Sequence, residues 1–207
     1  ASISSNTVSS ICEDNQGNLW IGTGHRMFRL AHGNGLDRFD PVSKQFTHYR
    51  HIPGNPKSLA SNNVTSLLID SEGILWIGTL NNYLNSIPIS ELLNSSNPQF
   101  VHHTNLYRSN ITSIYEDRLR NIWIALFGRN VHVYNRQQNP FIWYRYRNRK
   151  PNTLWSSAAM IQVDKSGNIW FGGGGLDRYN PVTDKYIHYY HDPNHPDGLI
   201  SNHATSI

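Results

Sequence analysis

The sequence predicts an all-β chain in which one antiparallel unit is used four times, and three observations carry that prediction. A tryptophan strand recurs: Asn18–Thr23 reads NLWIGT, Ile74–Thr79 ILWIGT, Asn121–Ala125 NIWIA and Asn168–Gly172 NIWFG. Each copy follows an acidic turn, EDNQG at 13–17, IDSEG at 69–73, EDRLR at 116–120 and VDKSG at 163–167. The tryptophans Trp20, Trp76, Trp123 and Trp170 stand 56, 47 and 47 residues apart. A fixed period of about 20–50 residues marks an array of one supersecondary unit.

The last repeat shows the unit in order. Ala158–Asp164 is a short apolar run that predicts a first strand. Asp164–Gly167 is a tight turn, where Asp suits the first position and Gly tolerates the positive φ that rejoins a hairpin. Asn168–Gly172 is a second strand rich in aromatic and branched residues. Gly175–Asn180 is a third strand, Pro181–Lys185 a second turn and Tyr186–Tyr190 a fourth strand. Four short strands with tight connections form a meander, which suits a sandwich, a barrel or a propeller. The period decides for a β-propeller, whose four-stranded blade takes about 40–50 residues. Leu19, Trp20 and Ile21 are consecutive and apolar, so both faces of that strand call for burial, as between two stacked blades. Gly22, Gly78, Ala125 and Gly172 sit two residues beyond each tryptophan on the same face, and are read as sites of close approach. Trp20, Gly22, Trp76, Gly78, Trp123, Trp170 and Gly172 therefore form the expected structural core of the repeat.

The predicted blades span about 3–51, 59–104, 107–149 and 154–192, within one domain of partial propeller over 1–207. The first copy carries extra residues within Gly24–Gly35. The second lengthens the turn around Pro88–Gln99, and the third has Arg120 where the turn glycine stands elsewhere. Residues 199–207 (LISNHATSI) match Ser2–Ile11 and Leu59–Leu67, so they read as the first strand of a fifth blade. With no initiator Met, the expectation is an arc of a longer protein. Its open strand edge would call for closure by further blades or a second chain.

Composition sets broad limits. The chain has 207 residues, 38% hydrophobic and 15 glycines, which suits a folded core rather than disorder. No stretch approaches the roughly 20 apolar residues of a membrane span, so any membrane attachment would lie in absent segments. Cys12 is single and reads as a small buried hydrophobe. A net charge of +4 mildly favours anionic partners without indicating nucleic acid. The basic run Tyr144–Lys150 (YRYRNRK) fits a charged outer strand that guards a sheet edge.

The string S-N-x-V-x-S-I-x-E-D-x-x-G-N-L-W-I-G-T at Ser5–Thr23, then GLDRFDP at Gly35–Pro41 and FTHY at Phe46–Tyr49, resembles the two-component regulator propeller repeat. The linkers Gly54–Asn62 and His191–Asn202 are similar to that family's inter-blade loop. The likeness covers essentially the whole chain and is closest in the first and fourth copies. It implies the extracytoplasmic, periplasmic sensor region of a bacterial hybrid histidine kinase. Many such sensors detect oligosaccharides and switch on genes for glycan use. They carry many repeats followed by an immunoglobulin-like domain, a membrane helix and the kinase, and a homodimeric parent is implied. No phosphoacceptor motif, ATP-binding box or receiver domain occurs in this sequence, so kinase activity would belong elsewhere.

Neither catalytic residues, nor a cofactor, nor a metal are expected. Asp14, Asp70, Asp117 and Asp164 open turns and cap backbone N–H groups; a calcium loop would need carboxylates at alternating positions. His188, His191 and His195, and the pair His102 and His103, lack the helical spacing and cysteines of a metal site. The sequons at Asn63, Asn94 and Asn110 read as incidental. Ligand contacts are instead expected where copies disagree, on the face that carries the second-to-third-strand loops and the inter-blade links: His25, Arg26, Asn81, Asn82, Tyr83, Phe127 and Arg129. Aromatic rings suit sugar faces, and arginine suits carboxylate or sulfate. Two alternatives remain at this point: a propeller enzyme acting on glycans, of lyase or sialidase type, and a non-catalytic protein-binding propeller.

Overall fold

The structure is a computed structural model that describes residues 2–24, 33–80, 83–104, 106, 109–127, 131–136, 141–144 (backbone only), 153–155, 160–195, 198–202 and 204. Among the described residues there are sixteen strands: β1 Val8–Glu13, β2 Leu19–Thr23, β3 Gly35–Asp40, β4 Gln45–Tyr49, β5 Val64–Ile69, β6 Ile74–Thr79, β7 Leu84–Pro88, β8 Val101–His103, β9 Ile111–Glu116, β10 Ile122–Leu126, β11 Val131–Tyr134, β12 Phe141–Tyr144, β13 Met160–Val163, β14 Ile169–Gly172, β15 Leu176–Asn180 and β16 Lys185–Tyr189. They form four sheets of four strands, each in chain order. The all-β class and the four-stranded propeller blade read from the repeat both hold.

One element departs from the sequence reading. The long third turn of the second blade contains a short helix, α1 Ile89–Asn94. Ile89 and Leu92 are buried, so the insertion adds apolar surface to the core as well as reach. Residues 203 and 205–207 of the expected fifth-blade strand lie outside the described residues, as do the basic residues Arg145, Arg147, Arg149 and Lys150. No helix among the described residues is long and apolar enough to cross a membrane.

The chain divides into two compact units, Ala1–Ile114 and Tyr115–Ile207, with the boundary inside β9. In the first unit, Trp20, Leu36, Leu59, Val64, Leu75 and Ile77 form one core cluster between the first two blades, extended by Ile89, Leu92 and Phe100. In the second, Trp123, Val133, Leu154, Ile161, Phe171 and Tyr179 do the same. Leu59 and Leu154 hold corresponding places in the inter-blade links, and both are fully buried.

The repeated residues act as the sequence predicts. A Cβ on Gly22 would come within 2.6 Å of Val64 Cγ1, and one on Gly78 within 2.6 Å of Ile111 Cγ2. Anything larger than glycine would therefore push β2 or β6 away from the strand stacked on it. The turn aspartates do more than cap. Asp14 Oδ1 accepts from the N–H groups of Gln16 and Asn18, while Oδ2 accepts from the indole Nε1 of Trp20 at 2.9 Å. The same indole bond joins Trp76 to Asp70, Trp123 to Asp117 and Trp170 to Asp164, at 2.5, 2.8 and 2.9 Å. An indole N–H must find a partner when buried, and a carboxylate six residues upstream supplies it. The outer strand closes over three of these indoles with a stacked ring: Tyr49 on Trp20, His103 on Trp76 and Tyr189 on Trp170. Arg120, in place of the turn glycine, takes a left-handed φ of 63°.

Candidate functional site

In a four-stranded meander the β2–β3 connection and the link to the following blade leave from the same end. The structure pins the base of both. In the first blade, Gly35 N donates to Asn62 O at 2.8 Å and Gly33 N donates to Asn63 Oδ1 at 2.6 Å. A Cβ on Gly33 would run into the carbonyl oxygens of Asn62 and Thr23. Thr23 Oγ1 donates to Gly35 O at 2.9 Å and accepts from Asn34 N at 2.8 Å. In the second blade Leu80 N donates to Asn63 O, and Thr79 Oγ1 donates to Tyr83 O. The loop bases are thus fixed, whereas the loop sequences between them vary from blade to blade.

In three blades a buried polar residue of the third strand holds the link. Asp37, Asn85 and Asp177 occupy the same register position, opposite Ile21, Ile77 and Phe171, and each is fully buried. Asp37 Oδ2 accepts from Ser4 N at 2.7 Å, Asn85 Oδ1 from Ala60 N at 3.0 Å and Asp177 Oδ2 from Trp155 N at 2.9 Å. The other oxygen of each aspartate meets a histidine of the outer strand: His48 Nδ1 at 2.7 Å from Asp37 and His188 Nδ1 at 2.8 Å from Asp177. A buried carboxylate without such partners would be costly. Where asparagine replaces aspartate, His102 instead has Nε2 2.7 Å from Ser58 O. His132, at this register position in the third blade, is also fully buried; burial pushes its imidazole down to about 4.

Rings that do not repeat lie over these histidines. Trp155, in the link before the fourth blade, stacks on His188 with centroids 4.0 Å apart and planes 6° apart. Tyr190 packs against Trp155 at 5.8 Å, and the nearby β14–β15 connection runs through Gly173, Gly174 and Gly175. Tyr83, at the end of the β6–β7 loop, stacks on His102 at 5.8 Å. In the first blade the residue that corresponds to Trp155 is Ser4, whose small side chain offers no ring. A half-buried aromatic face held by an Asp–His pair, as that of Trp155 is, beside side-chain-free backbone can receive the apolar face of a sugar ring and direct its hydroxyls to peptide groups.

Of the loop residues expected from the sequence, Tyr83 is half-buried against His102, and Phe127 is 46% exposed at the end of β10. Tyr83 belongs to the first unit and Phe127 to the second. His25, Arg26, Asn81, Asn82 and Arg129 lie outside the described residues. Sequence reasoning missed Trp155, Tyr190 and the buried aspartates. A signal existed: GLDRF and GLDRY place a carboxylate between a core leucine and an arginine, in the middle of a strand.

The histidines have structural work in the fold. His51 Nδ1 and His191 Nδ1 lie 2.9 and 2.7 Å from the carbonyl oxygens of Leu59 and Leu199, the same clamp in two links. His103 Nε2 lies 2.8 Å from Ser86 Oγ. Among the described residues no group of three His, Cys, Asp or Glu could hold a metal ion. Burial, with Asp14 nearby, pushes the Cys12 thiol up to about 12, so it stays protonated and inert at neutral pH.

Comparisons with known proteins agree with this architecture. The model of the two-component regulator propeller matches residues 2–25 and 58–81, each running from an inter-blade link through a tryptophan strand. Over 194 residues, 92% of the chain, the sequence is 28% identical to histidine kinase P4 of Formosa agariphila, and the chain spans 13% of that protein. The structure is similar to the extracellular domain of a hybrid two-component system from B. thetaiotaomicron, with TM-score 0.69 and 24% identity, over 90% of this chain and 24% of that one. It is also similar to virginiamycin B lyase from Staphylococcus aureus, solved as an inactive variant with quinupristin, with TM-score 0.63 and 17% identity over 93% of this chain and 58% of the lyase. The two likenesses to solved structures establish a common fold.

Proposed function

We propose that this chain, which carries two-component regulator propeller repeats, is the ligand-reading part of a bacterial hybrid two-component sensor on the extracytoplasmic side of the inner membrane. The ligand is an oligosaccharide, and the response is expression of genes for polysaccharide use. The observation that carries this reading is the pair of non-repeating rings on the link-bearing ends of the blades, Trp155 on His188 and Tyr83 on His102. Both supply an aromatic face at a place where other blades have different residues. The sequence likeness to a histidine kinase supports the same reading. The chain binds without transforming its ligand, and any kinase step belongs to other parts of the parent protein. Ligand then signals by preferring one of two arrangements of that parent, since equal affinity for both would shift nothing.

Calorimetric titration of the chain with a panel of plant and algal oligosaccharides tests the proposal. One of them should bind, and Trp155→Ala or Tyr83→Ala should weaken it about tenfold or more, as loss of a stacking platform worth about 1.4 kcal/mol would. Binding that both variants leave unchanged would remove the rings from the site, and a silent panel would overturn the ligand class.

A further inference from the structure

A second concave site lies in the first unit, where the link after β4 meets the insertion of the second blade. The helix-containing insertion of the second blade folds beside the outer strand of the first. A cleft of about 520 Å³ opens between β4, the link that follows it and residues 95–98. That volume falls within the roughly 300–1,000 Å³ of small-molecule pockets. No corresponding insertion follows the third strand of the first or fourth blade, where β3–β4 and β15–β16 are tight turns. The insertion thus distinguishes the second blade from the first and the fourth.

Its lining carries one sign of charge. Arg38, His48 and Arg50 face it, and no aspartate or glutamate is among its lining residues. Arg38 is positioned by Asn18, whose Oδ1 accepts from Nε at 3.2 Å, and by an ion pair with Asp40 at 3.7 Å. His48 is fixed through Nδ1 by the buried Asp37. Its Nε2 has no partner among the described residues. Arg50 is exposed and likewise has no partner among them. Two fixed cationic or donor groups with one uncommitted guanidinium match a planar or tetrahedral oxyanion, which takes paired hydrogen bonds from arginine. The remaining wall mixes the polar Asn55, Ser95 and Ser96 with the apolar Ile52, Leu93 and Phe100, beside Tyr49. Hydroxyl and amide groups beside apolar surface suit a sugar ring, which has both hydroxyls and C–H faces.

We infer that the cleft beside α1 binds a sugar carrying a negative charge, a carboxylate or a sulfate ester, with Arg50 and Arg38 on the anionic group. Its lining includes neither Trp155 nor Tyr83, so it does not depend on what those rings bind. Titration of the 207-residue chain with D-glucuronate, glucose 6-sulfate, glucose and inorganic sulfate, followed by amide chemical shifts in NMR, tests it. At least one charged sugar should bind, shifting the signals of residues 47–58 and 95–98, while glucose does not. The arm that binds identifies carboxylate or sulfate as the group read. Arg50→Ala should weaken binding about tenfold, the loss of about 1.4 kcal/mol in a charge-assisted contact. Ser96→Glu, an exposed position, should abolish it by adding a carboxylate. Glucose binding as well as the charged sugars, inorganic sulfate binding as tightly as glucose 6-sulfate, no binding by either charged sugar, or affinities indifferent to both substitutions would each overturn the inference.

Discussion

At the scale of single residues, the fold depends on a few positions with specific backbone or solvation demands. Gly73 has φ +76°, and a Cβ there would meet nothing within 4 Å. Gly73→Ala therefore isolates the conformational term, and should cost about 1 kcal/mol in urea unfolding through the left-handed backbone alone. The buried histidines set a pH dependence. Burial lowers His132 to about 4, and burial with neighbouring His102 lowers His103 to about 4. Unfolded, each takes up its proton near pH 6.5. Between those values the unfolded chain holds more protons than the folded one, so stability falls as pH drops through this window. Urea midpoints measured from pH 7.5 to pH 4.5 should decline accordingly. His132→Asn, which installs the residue that Asn85 provides at the same register position, should make the decline shallower. An unchanged slope would assign the dependence to other groups.

At the scale of the blade, the tryptophan strand is a complete packing solution: a ring stacked by the outer strand, an indole bonded to the turn carboxylate and a small residue under the next blade. Trp76→Phe keeps most of the apolar area but leaves Asp70 Oδ2 without its 2.5 Å donor. The expected loss is about 1.5–3 kcal/mol, the worth of a hydrogen bond to a charged group, and thermal unfolding measures it. This element was legible in advance because periodicity exposes whatever every copy needs. Turn, Trp and Gly recur, so their roles follow from recurrence and elementary sterics. The bond from Trp to Asp was not legible, since spacing of six in a hairpin becomes proximity only once the register is known. Helix α1 escaped for a different reason. A single stretch of non-repeating sequence between Pro88 and Gln99 has no second copy to compare, and its two buried residues Ile89 and Leu92 gain their environment from the neighbouring blade. The candidate site shows the same division. Tyr83 could be chosen as a loop aromatic, whereas Trp155 reads as part of a link until its stacking on His188 is seen.

At the scale of the molecule, the repeated residues make blades and the unrepeated ones make surfaces. Under the proposed function, specificity belongs to the loops, the links and the cleft beside α1, not to the tryptophan strands that identify the fold. The central claim is that this array of blades binds an oligosaccharide and leaves it intact. Native mass spectrometry of the chain after prolonged incubation with an oligosaccharide panel addresses it most directly, because complex and ligand are weighed together. The account predicts a complex of one chain with one ligand, the bound and free sugar both at their starting mass. Sugar cleaved with gain of one water, unsaturated fragments, or no complex with any member of the panel would contradict it.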